Sequence, residues 1–319
     1  MPRHKIGAET FKETTMQIGR AIQITCLVIG ISMNNVWAQS TLNHNDLAAD
    51  FYEADGDVAV ILLHGTLAHN RMEIITTIAT LIADDYGYPV LTPNLSLNDE
   101  NRMGDKVQTS TKGYAALTAC DINHTHRYQD AVTELANWVD YLKQQGFEKI
   151  VVTGHSRGGR QVSAYLAGAS DEPAVVGGVL IASGLSRNER NIANYKKDTG
   201  LDLPELLAQF AKLPQDQYVD VPKFIYCDNP KVTAGAFIAE YEDNPAHSAP
   251  FNVQKVTNIP VLVIGGSEDT VVPDIESDFE SLADQENLTV EVIDGADHFF
   301  RDLYADDVAT MIVDLIESI

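Results

Sequence analysis

Three short stretches carry side chains that together could break an acyl bond. Residues 151–160 read VVTGHSRGGR, and the central GHSRG fits G-x-S-x-G, a tight strand-to-helix turn that exposes a serine. The same pentapeptide also suits a serine that merely caps a helix. A serine hydroxyl is a weak nucleophile near neutral pH, so Ser156 needs a base. His298, in IDGADHFF (293–300), directly follows an apolar run, although a histidine there also reads as an ordinary loop residue. A base of this kind needs a carboxylate to hold its tautomer and stabilise the imidazolium. Asp269, in VLVIGGSEDTVVP (261–273), stands a few residues past another apolar run, with Glu268 as a solvated neighbour. Asp294 and Asp297 sit too close to His298 in sequence to reach back to its distal nitrogen.

Acyl transfer also needs donors for the developing oxyanion. The backbone N–H of Arg157, after the nucleophile, supplies one. LLHGTLAHN (62–70) offers the second, with Thr66 the first choice and Leu67 the next, also as a residue beside the substrate; His64 reads as a brace for this loop.

These residues need elements that bring them to one edge. Apolar runs at 57–65, 88–94, 147–154, 174–184, 260–266 and 288–294 read as strands. Patterns at 69–85, 126–145, 157–168, 274–285 and 302–317 read as amphipathic helices. Near-continuous Val/Ile/Leu strands alternating with helices predict an α/β fold, a mostly parallel, doubly wound sheet covered on both faces. Ligands in such sheets bind beyond the carboxyl ends of the strands, where Ser156, Asp269 and His298 all fall. Residues 95–125 form a long polar stretch, and 185–258 interrupt the alternation with helical patches and several prolines, which predicts a helical lid. Phe237 and Tyr241 within it suit either a lid core or a pocket wall.

HGT, GHSRGG, GSEDTVVP and GADHFF, in that order, resemble the oxyanion loop, nucleophile elbow, acid turn and histidine loop of the α/β-hydrolase superfamily of serine hydrolases. The resemblance runs from about residue 57 to the C-terminus and is weakest in the insertion. It implies the α/β-hydrolase fold and an acyl-enzyme mechanism with Ser156, Asp269 and His298 as the triad and no cofactor. It also leaves only a curtailed opening to the sheet within residues 40–56. A carboxylesterase is the leading expectation. Amide hydrolysis, as in serine aminopeptidase-like relatives, and acyl transfer to an alcohol would use the same triad. A non-catalytic binding module would be expected to have lost one of its members.

Some residues lie outside that pattern. His124 and His126, with Asp121 and Asp130 nearby, could ligate a metal, line the substrate cleft or only pack the loop; the triad needs no metal, and cleft lining is the favoured role. Arg157 could hold a substrate carboxylate but more simply pairs with an acidic residue.

Composition bounds the partners. The formal net charge is −24; without the four basic and two acidic residues of the first 38 it is 18 basic against 44 acidic, or −26. Such a surface repels nucleic acid and anionic membranes. The N-terminus places Arg3, Lys5, Lys12 and Arg20 before an apolar run (21–33) and a small-x-small site ending at Ala38. That pattern predicts a signal peptide over 1–38, cleaved near Ala38, and an exported chain over 39–319. The run is short for a membrane span. Cys120 and Cys227 would remain after cleavage, either as a disulfide permitted by an oxidising compartment or as two buried thiols.

Overall fold

The computed structural model describes residues 39–96, 120, 122–169 and 171–319. The expected signal segment, its cleavage site, Asp121 and most of the long polar stretch lie outside them.

An eight-stranded sheet organises the fold. Its strands are β1 (Gln39–His44), β2 (Leu47–Tyr52), β3 (Val58–Leu63), β4 (Val90–Pro93), β6 (Lys149–His155), β7 (Val175–Ile181), β12 (Val261–Gly266) and β13 (Leu288–Ile293). They lie side by side as β1-β2-β4-β3-β6-β7-β12-β13. From β4 to β13 every pairing is parallel; β1–β2 and β2–β4 are antiparallel.

The central strands are apolar on both faces because helices cover both. Val60, Leu62, Val151 and Ile181 pack with Ile75 and Ile78 of α1 (Glu73–Thr80) and Val308 and Ile312 of the last helix (Leu303–Glu317). Ala59, Ile61, Leu63 and Val152 face the other way, onto Trp138 and Val139 of α2 (Asp130–Gln144) and Val162 of α3 (Arg157–Gly168). Adjacent residues on a strand point to opposite faces, so each strand feeds two cores.

Residues 40–56 hold more than a curtailed opening. β1 and β2 form a full hairpin, closed by Asn45 and Asp46 at φ 51° and 62°. Two successive positive-φ residues match the twist of the flanking strands, and Asn and Asp tolerate that conformation. The predicted helix 69–85 also divides: α1 stops at Thr80, and Leu81–Asp85 continue as a π-turn.

Between β7 and β12 the chain leaves the sheet. It forms α4 (Asn188–Thr199), α5 (Leu203–Phe210), α6 (Ala234–Tyr241) and α7 (Ala249–Val253), then returns; α8 (Ile275–Phe279) follows β12 and α9 is the last helix. Tyr195, Leu203, Phe210, Phe224 and Phe237 give the segment a core of its own, with ring pairs such as Phe210–Phe237 at 5.1 Å edge to face. Phe237 is fully buried there, and the Tyr241 hydroxyl accepts the Ile225 N–H at 2.7 Å, so both belong to this core.

Two features tie the segment to the body. β5 (Asn123–His124) pairs in parallel with β11 (Lys231–Thr233), which pairs in turn with β8 (Tyr218–Val219); β9 (Lys223–Phe224) and β10 (Cys227–Asp228) form a small hairpin beside them. Cys120 and Cys227 form a disulfide across 107 residues of chain, with Cα atoms 5.2 Å apart. Closing so long a loop removes much unfolded-state entropy, worth about 4 kcal/mol. Replacing both cysteines with serine is therefore expected to lower the melting temperature by roughly 10 °C. Thermal unfolding of the double variant beside wild type checks this; coincident transitions contradict it.

Candidate active site

Strand β6 ends at His155 and α3 begins at Arg157, so Ser156 alone makes the turn between them. Its φ of 55° and ψ of −120° lie where non-glycine residues rarely go. Its surroundings hold it there: Ser156 N–H donates to Ile181 O at 2.7 Å, and the Ser183 hydroxyl donates to Ser156 O at 2.7 Å. The glycines permit close approach. A Cβ on Gly158 would collide with the His64 carbonyl, and one on Gly65 would lie 3.2 Å from Ser156 Cβ. The loop after β3 thus packs directly on the elbow.

Asp269 and His298 come from the turns after β12 and β13, which lie beyond β7 in the same sheet. His298 Nε2 is 3.1 Å from Ser156 Oγ, and His298 Nδ1 is 2.7 Å from Asp269 Oδ2. A carboxylate only accepts, so the proton belongs on Nδ1 and leaves the Nε2 lone pair to take the serine proton. Asp269 and His298 are buried, while Ser156 is half-exposed. Burial alone would raise the Asp269 carboxyl. The hydrogen bond and charge of His298 and the N–H groups of Val271 and Val272, at 2.7 and 2.8 Å, outweigh it and hold Asp269 below the usual carboxylate value. It stays ionised wherever His298 needs it.

Gly65 to Ala68 form the turn expected to supply an oxyanion donor, closed by Ala68 N–H on Gly65 O at 3.2 Å. Thr66 and Leu67 are its central residues, with Leu67 held at φ 49°. His64 braces this turn: its Nδ1–H donates to Gly65 O at 3.0 Å, and its Nε2 accepts Leu95 N–H at 3.1 Å. Burial pushes this imidazole down to about 4, so it remains neutral and holds both bonds.

The remaining candidates are placed differently. The Leu67 side chain is buried and packs with disulfide-bonded Cys227. His124 is fully buried within the small sheet, its ring 5.1 Å from Phe224, and burial lowers it to about 4. It packs the segment rather than facing an open cleft. His126 is half-buried on the stretch between β5 and α2. Among the described residues no group of three or more His, Cys, Asp or Glu could hold a metal.

Arg157 does not face outward for a substrate carboxylate. Its guanidinium donates to Glu240 of α6 and lies over the Tyr128 ring, 5.1 Å from its centroid. Glu240 and Tyr128 had no local signal in the sequence, since 83 residues separate the ion pair. Both charges are largely buried, at 7% and 18% side-chain exposure, so removing one strands the other. Glu240→Ala is expected to destabilise the protein by about 3 kcal/mol. Denaturant unfolding at neutral pH measures this; an unchanged midpoint contradicts it.

A family model described as "Alpha/beta hydrolase family" matches residues 60–311. No curated protein matches. Among solved structures, Est1E from Butyrivibrio proteoclasticus aligns with TM-score 0.55 and 17% identity over 88% of this chain and 99% of its own. The Pyrococcus furiosus esterase Pf2001 aligns with TM-score 0.52 and 14% identity over 88% and 90%. A thioesterase domain from the curacin biosynthetic pathway aligns with TM-score 0.52 and 11% identity over 88% and 100%. At these identities the three likenesses speak for the fold.

Proposed function

Because the chain belongs to the alpha/beta hydrolase family, we propose that it is a serine hydrolase cleaving carboxylic esters through a Ser156–His298–Asp269 triad, without a cofactor. The observation that carries this reading is the hydrogen-bond chain from Asp269 through His298 to Ser156 Oγ.

In this reading His298 Nε2 takes the Ser156 proton as Oγ bonds to the ester carbon. The carbonyl oxygen gains the charge and accepts from the N–H groups of Arg157 and Thr66. Collapse breaks the bond to the alcohol, which leaves with the proton from His298. Water repeats the cycle on the acyl-enzyme: His298 takes its proton, and the acid departs as Ser156 Oγ is reprotonated.

An aminopeptidase would need a carboxylate free to meet the substrate's amine. Glu240, the acid that reaches the elbow from α6, is already matched by Arg157, which favours esters. The test is hydrolysis of p-nitrophenyl esters from acetate to palmitate beside an aminoacyl p-nitroanilide panel. Ester turnover supports the proposal and its chain-length optimum sizes the pocket; anilide turnover alone would replace it with a peptidase.

We infer also that the chain is exported. The basic-then-apolar N-terminus supports this, and so does the Cys120–Cys227 bond, which belongs with oxidising compartments. No helix among the described residues is long and apolar enough to cross a membrane. A secreted or periplasmic form beginning at Gln39 is the expected result; one beginning at Met1 or Met16 contradicts cleavage.

A further inference from the structure

His155 has no part in the reaction as written, yet it is the residue most closely wedged among the groups that do. It precedes Ser156 and is 3% exposed. Its Nε2 lies 2.8 Å from the backbone oxygen of His298. A carbonyl only accepts, so the proton is on Nε2 and the bond runs from His155 to the histidine loop. The two imidazoles lie 4.8 Å apart, and Phe299 packs at 6.1 Å from the His155 ring. The other ring nitrogen faces the oxyanion turn: a Cβ on Gly65 would lie 3.5 Å from His155 Nδ1. One side chain on the elbow therefore touches the loop of the base and the loop of an oxyanion donor.

The histidine loop needs such a tie. Phe300 and Asp302, just beyond His298, adopt φ of 45° and 56°, conformations that persist only where neighbours enforce them. His298 reaches Ser156 and Asp269 through its ring, but those contacts do not fix its backbone. Phe299 and Phe300 N–H groups bond within the loop to Asp297, and the His155 hydrogen bond ties the His298 carbonyl itself to the elbow.

We propose that His155 is a positioning residue for the general base: its Nε2–H pins the His298 carbonyl and so holds the imidazole in line with Ser156. This rests on the serine-hydrolase reading. His155 does not compete as a second base. Burial, and then the neighbouring His298, push it down to about 3, so it stays neutral across the working range. Its one ring proton is committed to the carbonyl.

Three variants separate positioning from packing. Glutamine carries an N–H at nearly the reach of Nε2, asparagine has the same amide but falls short, and leucine fills space with no donor. His155→Leu and His155→Asn are expected to lower kcat by about 10- to 100-fold with KM changed less than about threefold, because a small misplacement of a reacting group is costly. His155→Gln is expected to stay within about threefold of wild type. Melting temperatures identify any variant that fails to fold, and the Gln–Asn pair, alike in polarity, carries the test if leucine is not tolerated. Wild-type kcat in His155→Asn, an equal loss in Gln and Asn, or a rise in KM at constant kcat would each overturn the proposal. Failure of the underlying reading looks different: wild type would turn over no ester, and a fluorophosphonate would leave Ser156 unlabelled.

Discussion

Ser156→Ala is expected to lower ester turnover by about 10⁴- to 10⁶-fold while leaving the fold and melting temperature near wild type. The size follows from the chemistry. Without Oγ no acyl-enzyme forms, and His298 has no proton to take from the elbow. What remains is slow attack by water on an ester held by the N–H groups of the oxyanion turn and Arg157. The backbone strain at Ser156 argues that stability will not fall, since alanine at φ 55° is held by the same Ile181 and Ser183 contacts to the main chain. Steady-state hydrolysis of the best p-nitrophenyl ester checks this. Retention of more than about a tenth of wild-type kcat would mean that another nucleophile works, a far smaller loss than removal of a triad serine produces.

Asp269→Asn is expected to cost about 10⁴-fold in kcat, again without unfolding. The substituted amide can still accept from Val271 and Val272 through its oxygen. Its nitrogen then meets His298 Nδ1 at the position where Oδ2 stood, 2.7 Å away, and donates to it. That forces the imidazole proton onto Nε2, the face that must accept from Ser156, so the base is presented in the wrong tautomer. The loss should lie in kcat with KM little altered, because Asp269 acts through His298 and does not itself touch the substrate. A variant whose kcat stays within about tenfold of wild type would show that Asp269 orients nothing of consequence. Folding is expected to respond to pH in the same direction in wild type. A carboxyl held below its unfolded value contributes stability above the unfolded value, and that contribution is lost as pH falls through the folded one.

The parts of the molecule legible in its sequence share a physical reason. Strands β3, β6, β7 and β12 are buried on both faces, so their Val/Ile/Leu runs stand out against the helical pattern between them. The positions of Ser156 and Asp269 after β6 and β12 followed from those runs, and His298 follows the shorter apolar run of β13. The hairpin β1–β2 was hard to read because β1 alternates between half-buried and exposed along its length, with Leu42 its one apolar residue. Its Asn45-Asp46 turn was the available signal. Contacts between distant segments left no trace. Glu240 sits in a mostly apolar helix whose pattern announces only a core, and nothing near it points to Arg157. The surroundings of His124 and Leu67 were hidden for the complementary reason. Residue type and loop position suggested a cleft, whereas the disulfide and the small sheet turn both side chains into the packed segment. His155 was visible as a letter in the elbow motif, but its bond to His298 spans 143 residues and depends on β6 and β13 sharing one sheet edge.

The most direct test of the central claim is covalent: incubate the protein with a fluorophosphonate ester analogue, then measure intact mass and map the modified peptide. One adduct per chain is expected, on the peptide carrying Ser156, absent from Ser156→Ala and formed far more slowly in Asp269→Asn. An unmodified folded protein, or an adduct on any other residue, would contradict it.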